Sequence, residues 1–158
     1  MIKMVRVDYR LLHGQVAFSW TQAIGADALL LVSDTVKNDP LRMKALRLAK
    51  PQGTKVVIKS TDEAIEQIQS GITDKYHLFI ICETLPIAAK LVKAIGVKAL
   101  NLGNMPFAED KKQVSKSIFL DQKDVAILQD LSNLGIDLFV QMVPNETKID
   151  AKKFLKEA

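Results

Sequence analysis

Ile2-Lys3-Met4-Val5-Arg6-Val7-Asp8-Tyr9-Arg10-Leu11-Leu12-His13-Gly14-Gln15-Val16 passes from a short apolar strand pattern, through a polar turn, into the start of a helix. That is the first β-α unit of a chain that goes on alternating in the same way. Further strand-like runs fall at Ala28–Val32, Lys55–Lys59, Leu78–Cys82, Lys98–Leu102, Ser117–Leu120 and Asp137–Val143. Helices with recognisable ends lie between most of them. Asp39 before Pro40 is an N-cap followed by proline at the first helical position, and that helix must stop before Pro51. Ser60 with Glu63 makes a capping box, Gly71 follows that helix, and Gly96 and Gly135 close two others. A last helix is expected from about Glu146 or Thr147. The expected fold class is α/β: a single-domain, open, mainly parallel sheet of about seven strands with helices on both faces. Residues 104–116 show no helical stripe, so the connection there reads as irregular and leaves the sixth strand free to run antiparallel.

In open parallel sheets, ligands bind beyond the carboxyl ends of the strands. His13 follows the first strand and so lies on that edge, with Asp34, Ser60, Glu83, Thr84, Gly103 and Asn104 following later strands. Most of these are ordinary cap or turn residues; Asp34 alone is singled out as a phosphate-lining candidate. A histidine that is to carry a phosphoryl group needs one unprotonated, accessible ring nitrogen and anion donors already in place. Arg10 supplies a planar fork suited to phosphate oxygens. The amides of Gly14, Gln15 and Val16 open the helix, where unpaired N–H groups and the dipole favour an anion. Gly14 lets the backbone approach a ligand closely. Asp8 is placed either to fix the histidine tautomer or to orient Arg10. His77 precedes the fourth strand, at the opposite edge, and reads as structural or solvent-facing. Trp20 shares a helical stripe with Val16, Ala23 and Ile24 and reads as core.

Residues Arg6 to Val16 resemble the active-site loop of the enzyme IIB components of the mannose/fructose/sorbose family of the phosphoenolpyruvate-dependent sugar phosphotransferase system (PTS). The likeness extends to Trp20, to Val32-Ser33-Asp34 with Asp39, to Asn101-Leu102-Gly103-Asn104-Met105 and to Val140-Gln141-Met142-Val143-Pro144. It thus spans nearly the whole chain and implies one EIIB domain over residues 1–158. The resemblance implies that His13 takes a phosphoryl group from a phosphorylated IIA protein or domain, on Nδ1, and passes it to a sugar hydroxyl at the membrane subunits IIC and IID. Arg10 would stabilise the group in transfer. The family uses no metal or organic cofactor, and its members can form homodimers. Leu11 and Leu12 would either present an apolar docking surface or lie beneath the loop.

Composition agrees with this picture. A chain of 158 residues, 48% hydrophobic and 25% charged, is ordinary for a one-domain globule. Its apolar runs are too short to cross a bilayer and no signal-like stretch precedes Arg6, so the expected place is the cytosol, peripheral to the membrane subunits. Cys82 lies inside an apolar strand run and reads as a buried, inert thiol. With 22 basic and 18 acidic residues the net charge is +4, which favours acidic partners on encounter but gives no case for nucleic acid. Lys148, Lys152 and Lys156, with Lys153, would share one solvated helix face.

Two other classes fit the same loop. One is a non-catalytic anion- or nucleotide-binding regulatory module, although the chain has neither G-x-G-x-x-G nor a Walker loop. The other is a hydrolase or isomerase using Asp8 and His13 as an acid-base pair.

Overall fold

The computed structural model describes residues 1–155. Its strands are β1 (Ile2–Asp8), β2 (Ala28–Val32), β3 (Lys55–Lys59), β4 (Leu78–Cys82), β5 (Ala99–Asn104), β6 (Lys112–Ser115), β7 (Ile118–Leu120), β8 (Asp137–Val140) and β9 (Ile149–Asp150). Its α-helices are α1 (Gly14–Ile24), α2 (Pro40–Leu48), α3 (Thr61–Gln69), α4 (Leu85–Ile95), α5 (Gln122–Asn133) and α6 (Lys152–Leu155). Seven strands form one sheet in the order β3-β2-β4-β1-β5-β8-β9. All neighbours in it run parallel except β8 and β9, so the mainly parallel α/β fold is borne out, with the antiparallel pair at one edge.

β2 and β4 are apolar throughout because helices cover both faces. Alternate residues serve two separate cores. Leu29, Leu31, Phe79 and Ile81 meet Ala17 and Trp20 of α1 and Leu46 of α2 on one face. Leu30, Val32, Ile80 and Cys82 meet Ala64 of α3, Ala88, Leu91 and Val92 of α4, and Leu128 and Leu131 of α5 on the other. Trp20 is core, as its stripe implies, although Ala23 is exposed. The predicted caps also form: the Asp39 side chain accepts from the Arg42 amide, and the Ser60–Glu63 box closes in both directions.

Three expectations need correction. Ser117–Leu120 does not join the main sheet; β7 pairs antiparallel with β6 in a separate two-stranded ribbon, tied back by a Met105–Ile118 bridge. The predicted irregular stretch therefore contains a strand. The Asp137–Val143 run leaves the ladder after Val140, because the next carbonyl, that of Gln141, is taken by side chains from β1 and β5. No helix begins at Glu146. The Gln141 side chain donates to the carbonyls of Pro144 and Glu146, which holds the chain in a turn before β9. Lys148 consequently belongs to no helix; it pairs with Asp137 and lies over the Phe139 ring. Lys152 and Lys153 open α6, and Lys156 lies outside the described residues.

Candidate active site

β1 lies between β4 and β5, so the segment leaving its carboxyl end emerges at mid-sheet. That segment is built on a buried ionic network. Arg6 and Asp8 are each about 1% exposed and form an ion pair of 3.1 Å between Nη2 and Oδ2. The other Arg6 nitrogen, Nη1, donates to Asn101 Oδ1 at 2.6 Å and to the Gln141 carbonyl at 3.1 Å. Asn101 Nδ2 donates to that same carbonyl, and the Arg6 guanidinium lies 5.9 Å from the Trp20 ring centroid. Trp20 Nε1 donates to the Met142 carbonyl at 2.9 Å. A charge so deeply buried is tolerable only with this many partners. Burial lowers the pKa of Arg6, while Asp8 acts the other way.

The remaining Asp8 oxygen, Oδ1, accepts from the Arg10 amide at 3.0 Å. Asp8 thus bonds the backbone of Arg10, and no hydrogen bond between Asp8 and His13 is present among the described residues. The chain then turns through Leu11, which has φ of 59°, an uncommon conformation for a residue with a branched side chain. Leu11 and Leu12 are buried and join the α1–α2 core, so they anchor the loop from beneath and offer no docking surface. Burying two leucines, at roughly 1.5–3 kcal/mol each, outweighs about 1–2 kcal/mol for one left-handed residue.

His13 occupies the N-cap position of α1 in extended conformation, with no capping bond from its side chain. Gly14 has φ of 49° and open space where a Cβ would stand, so its backbone conformation and not crowding calls for glycine. The Gly14, Gln15 and Val16 amides open the helix with no carbonyl one turn back to receive them. The imidazole Nε2 is enclosed and has no hydrogen-bond partner among the described residues. Burial first, and then the positive charge of Arg10, lower the His13 pKa below 6.5, against a smaller opposite effect of Asp8. Desolvation penalises the charged ring, so the neutral form is favoured near neutral pH.

Arg10 is exposed, and its guanidinium faces the Asn104 side chain. In the amide orientation that satisfies both groups, the Asn104 oxygen accepts from Arg10 Nη2 at 2.7 Å and from Nε at 3.3 Å. Both residues line an open cavity of about 800 Å³, together with Tyr9, Arg42, Glu83 and Lys111. His13 is not among its lining residues. Within the cavity Arg42 pairs with Glu83 and Lys111 with Asp124, whereas Arg10 meets the neutral Asn104 amide and the Tyr9 ring and has no carboxylate partner for its side chain among the described residues. Among the described residues, no group of three or more His, Cys, Asp or Glu side chains is placed to hold a metal ion.

Asp34 does not join this group. Its two oxygens accept from the Thr61 amide at 2.8 Å and the Thr61 hydroxyl at 2.9 Å, so it serves the start of α3. His77 lies at the amino end of β4, where its amide donates to Asp27 Oδ1, away from the loop as expected. Sequence reasoning missed Arg6 as the hub of the network and missed Arg42 altogether. Its nearest signal was the run of matched residues beginning at Arg6.

Residues 2–158 match the family described as PTS system sorbose subfamily IIB component. The chain belongs to that family. Over 93% of its length this IIB component is 36% identical to the N-acetylgalactosamine-specific phosphotransferase enzyme IIB component 1 of Escherichia coli (strain K12), covering 94% of that protein. It is 34% identical to the PTS system sorbose-specific EIIB component of Lacticaseibacillus casei, over 95% of this chain and 92% of the relative. The crystal structure of the IIBSor domain of the sorbose permease from Klebsiella pneumoniae superposes with a TM-score of 0.94 at 28% identity, covering 100% of this chain and 98% of that one. The N-acetylgalactosamine-specific IIB component 1 from Escherichia coli gives a TM-score of 0.88 at 34% identity, covering 95% and 99%. As a PTS IIB component the protein is a sugar phosphotransferase that works with IIA and with membrane IIC and IID components. These likenesses favour the phosphoryl-transfer expectation over the regulatory-module alternative. No described helix is long and apolar enough to cross a membrane.

Proposed function

We propose that His13 is the phosphoryl-carrying residue of this IIB component and that residues 1–158 act as one EIIB domain. In the first transfer, the neutral imidazole attacks the phosphorus of a phosphohistidine on IIA. A new N–P bond forms as the donor's N–P bond breaks. In the second, a sugar hydroxyl held at IIC and IID attacks the same phosphorus; the O–P bond forms, the His13 N–P bond breaks with its electron pair returning to the ring nitrogen, and the hydroxyl proton ends on the freed imidazole. The observation that carries this reading is a histidine at the carboxyl end of β1 and the N-cap of α1, where burial and the nearby Arg10 lower its pKa and Arg10 has no carboxylate partner for its side chain among the described residues. The enclosure of Nε2 supports Nδ1 as the nitrogen that meets the donor.

In this reading Arg10 and the Gly14, Gln15 and Val16 amides receive the charge spread over the phosphoryl oxygens, and Asp8 holds Arg10 in place. Sorbose and N-acetylgalactosamine in the relatives' names support a hexose or amino-hexose acceptor. Work with IIC and IID would put the protein at the cytoplasmic face of the membrane. The test is incubation with phosphoenolpyruvate, the two general PTS proteins and a mannose-family IIA, followed by mass-spectrometric mapping under mildly alkaline conditions. The expected product carries one phosphoryl group on His13, and His13→Gln carries none while keeping its fold. Full labelling of His13→Gln would overturn the assignment.

A further inference from the structure

The peptide unit that leads into Arg10 is clamped at both of its polar ends. Its N–H, that of Arg10, donates to Asp8 Oδ1 at 3.0 Å, and its C=O, that of Tyr9, accepts from Arg42 Nη2 at 2.8 Å. The Tyr9 amide, one unit earlier, donates to the Asn104 carbonyl at 3.2 Å. Asp8 belongs to the loop's own buried network. Arg42 reaches in from a different element, the first turn of α2, where its backbone amide is fixed by Asp39.

Arg42 is itself braced. Its Nη1 is hydrogen-bonded to Glu83 Oε2, at the carboxyl end of β4. The other Glu83 oxygen accepts from Ser33 Oγ at 3.0 Å and from Thr35 Oγ1 at 3.3 Å, and the Glu83 amide donates to the Val32 carbonyl. The carboxylate is therefore held from three directions, and Arg42 is left with one free direction, toward the Tyr9 carbonyl. A partly exposed ion pair of this kind contributes little to stability. Its geometry does something else: it fixes the plane from which the Arg10 side chain departs.

We infer that Arg42, braced by Glu83, is a positioning residue for phosphoryl transfer, holding the Tyr9–Arg10 peptide so that the Arg10 guanidinium is already in place when the phosphoryl group arrives. Arg42 touches no reacting atom and acts through Arg10. A planar fork is needed because two acceptors in different directions must be held in one fixed geometry, whereas an ammonium offers three rotating donors on a flexible stem and fixes neither. The neighbouring Leu11, with its positive φ, makes such a clamp necessary, since a strained loop keeps its shape only when its surroundings over-determine it.

The inference rests on the phosphoryl-carrier reading of His13, and its test separates the two. Transfer from phospho-IIA is followed in single turnovers over a range of donor concentrations for the native protein, Arg42→Ala and Arg42→Lys. Misplacement of a positioned group by about an ångström costs up to 100-fold. Arg42→Ala is therefore expected to lose about 10- to 100-fold in the limiting rate, with the half-saturating donor concentration unchanged, and Arg42→Lys to stay close to the alanine variant. The second readout is the NMR titration of His13. Release of Arg10 is expected to move the His13 midpoint upward in both variants, including the lysine variant that keeps the charge.

A native limiting rate in Arg42→Ala, full recovery in Arg42→Lys, or a loss confined to the half-saturating concentration would each overturn the positioning role. An unphosphorylated native His13 would instead overturn the carrier reading, and the titration would still report on the clamp.

Discussion

The guanidinium of Arg6 lies in the space that a side chain on Gly103 would fill: a Cβ there would stand 2.1 Å from Arg6 Cζ and 2.4 Å from Nη2. Gly103 needs no unusual backbone angle, so its role is room for the one buried arginine on which the loop is built.

Gly103→Ala is accordingly expected to push Arg6 off Asp8, Asn101 and Gln141. Breaking a buried pair costs about 3–5 kcal/mol, because it leaves an uncompensated charge inside. Urea unfolding should show a midpoint lowered to match, with the slope unchanged. A loss under about 1 kcal/mol would mean that Arg6 finds other partners without leaving the interior.

His13 makes both activity and stability depend on pH, with a definite sign. Its folded pKa is lowered from 6.5, by burial and then by Arg10. As pH falls, the unfolded chain takes up this proton before the folded one does, so the contribution is fully present above about 6.5 and is lost as pH falls through the folded value. In the proposed transfer the neutral ring is also the nucleophile. The rate of phosphoryl acceptance should therefore hold level through pH 6.5 and decline only below it. A midpoint at or above 6.5 in a single-turnover profile would contradict the burial described here.

Arg10→Lys should slow transfer at least about tenfold, because the ammonium cannot present two parallel donors to phosphate oxygens. Arg10 is exposed, so the same change should alter unfolding free energy by no more than about 0.5 kcal/mol. Equal rates for the two proteins would remove Arg10 from the transfer step.

Cys82 is fully buried and desolvation pushes its thiol pKa far up, so thiolate is scarce. Ellman's reagent should leave the native protein unlabelled at pH 8 and react with one equivalent after unfolding in urea. Rapid labelling of the folded protein would show that β4 opens.

Much of this architecture was legible in the chain because the features responsible are local. A capping box needs Ser60 and Glu63 three positions apart, and the continuous apolar runs of β2 and β4 announce strands covered on both faces. The Arg6-to-Val16 stretch likewise marked the loop. What escaped was long-range or ambiguous. Arg6 meets Asn101 and Gln141 across 95 and 135 positions, and Arg42 meets Tyr9 across 33, with no local pattern to betray either. Asp34 looked like a ligand because a carboxylate after a strand serves a helix start and a binding site equally well. The Lys148–Lys156 spacing suggested a helix, but the hydrogen bonds of Gln141 claimed the preceding turn for the edge pairing of β9.

The bonds made by Gln141 and Met142 also impose an order of events on synthesis. Their carbonyls meet Arg6, Asn101 and Trp20, and synthesis runs from the amino to the carboxyl end, so the loop carrying His13 is made before the residues that support it from beneath. The loop therefore exists before its foundation does, and its buried network closes only when the segment following β8 has folded back against β1 and β5.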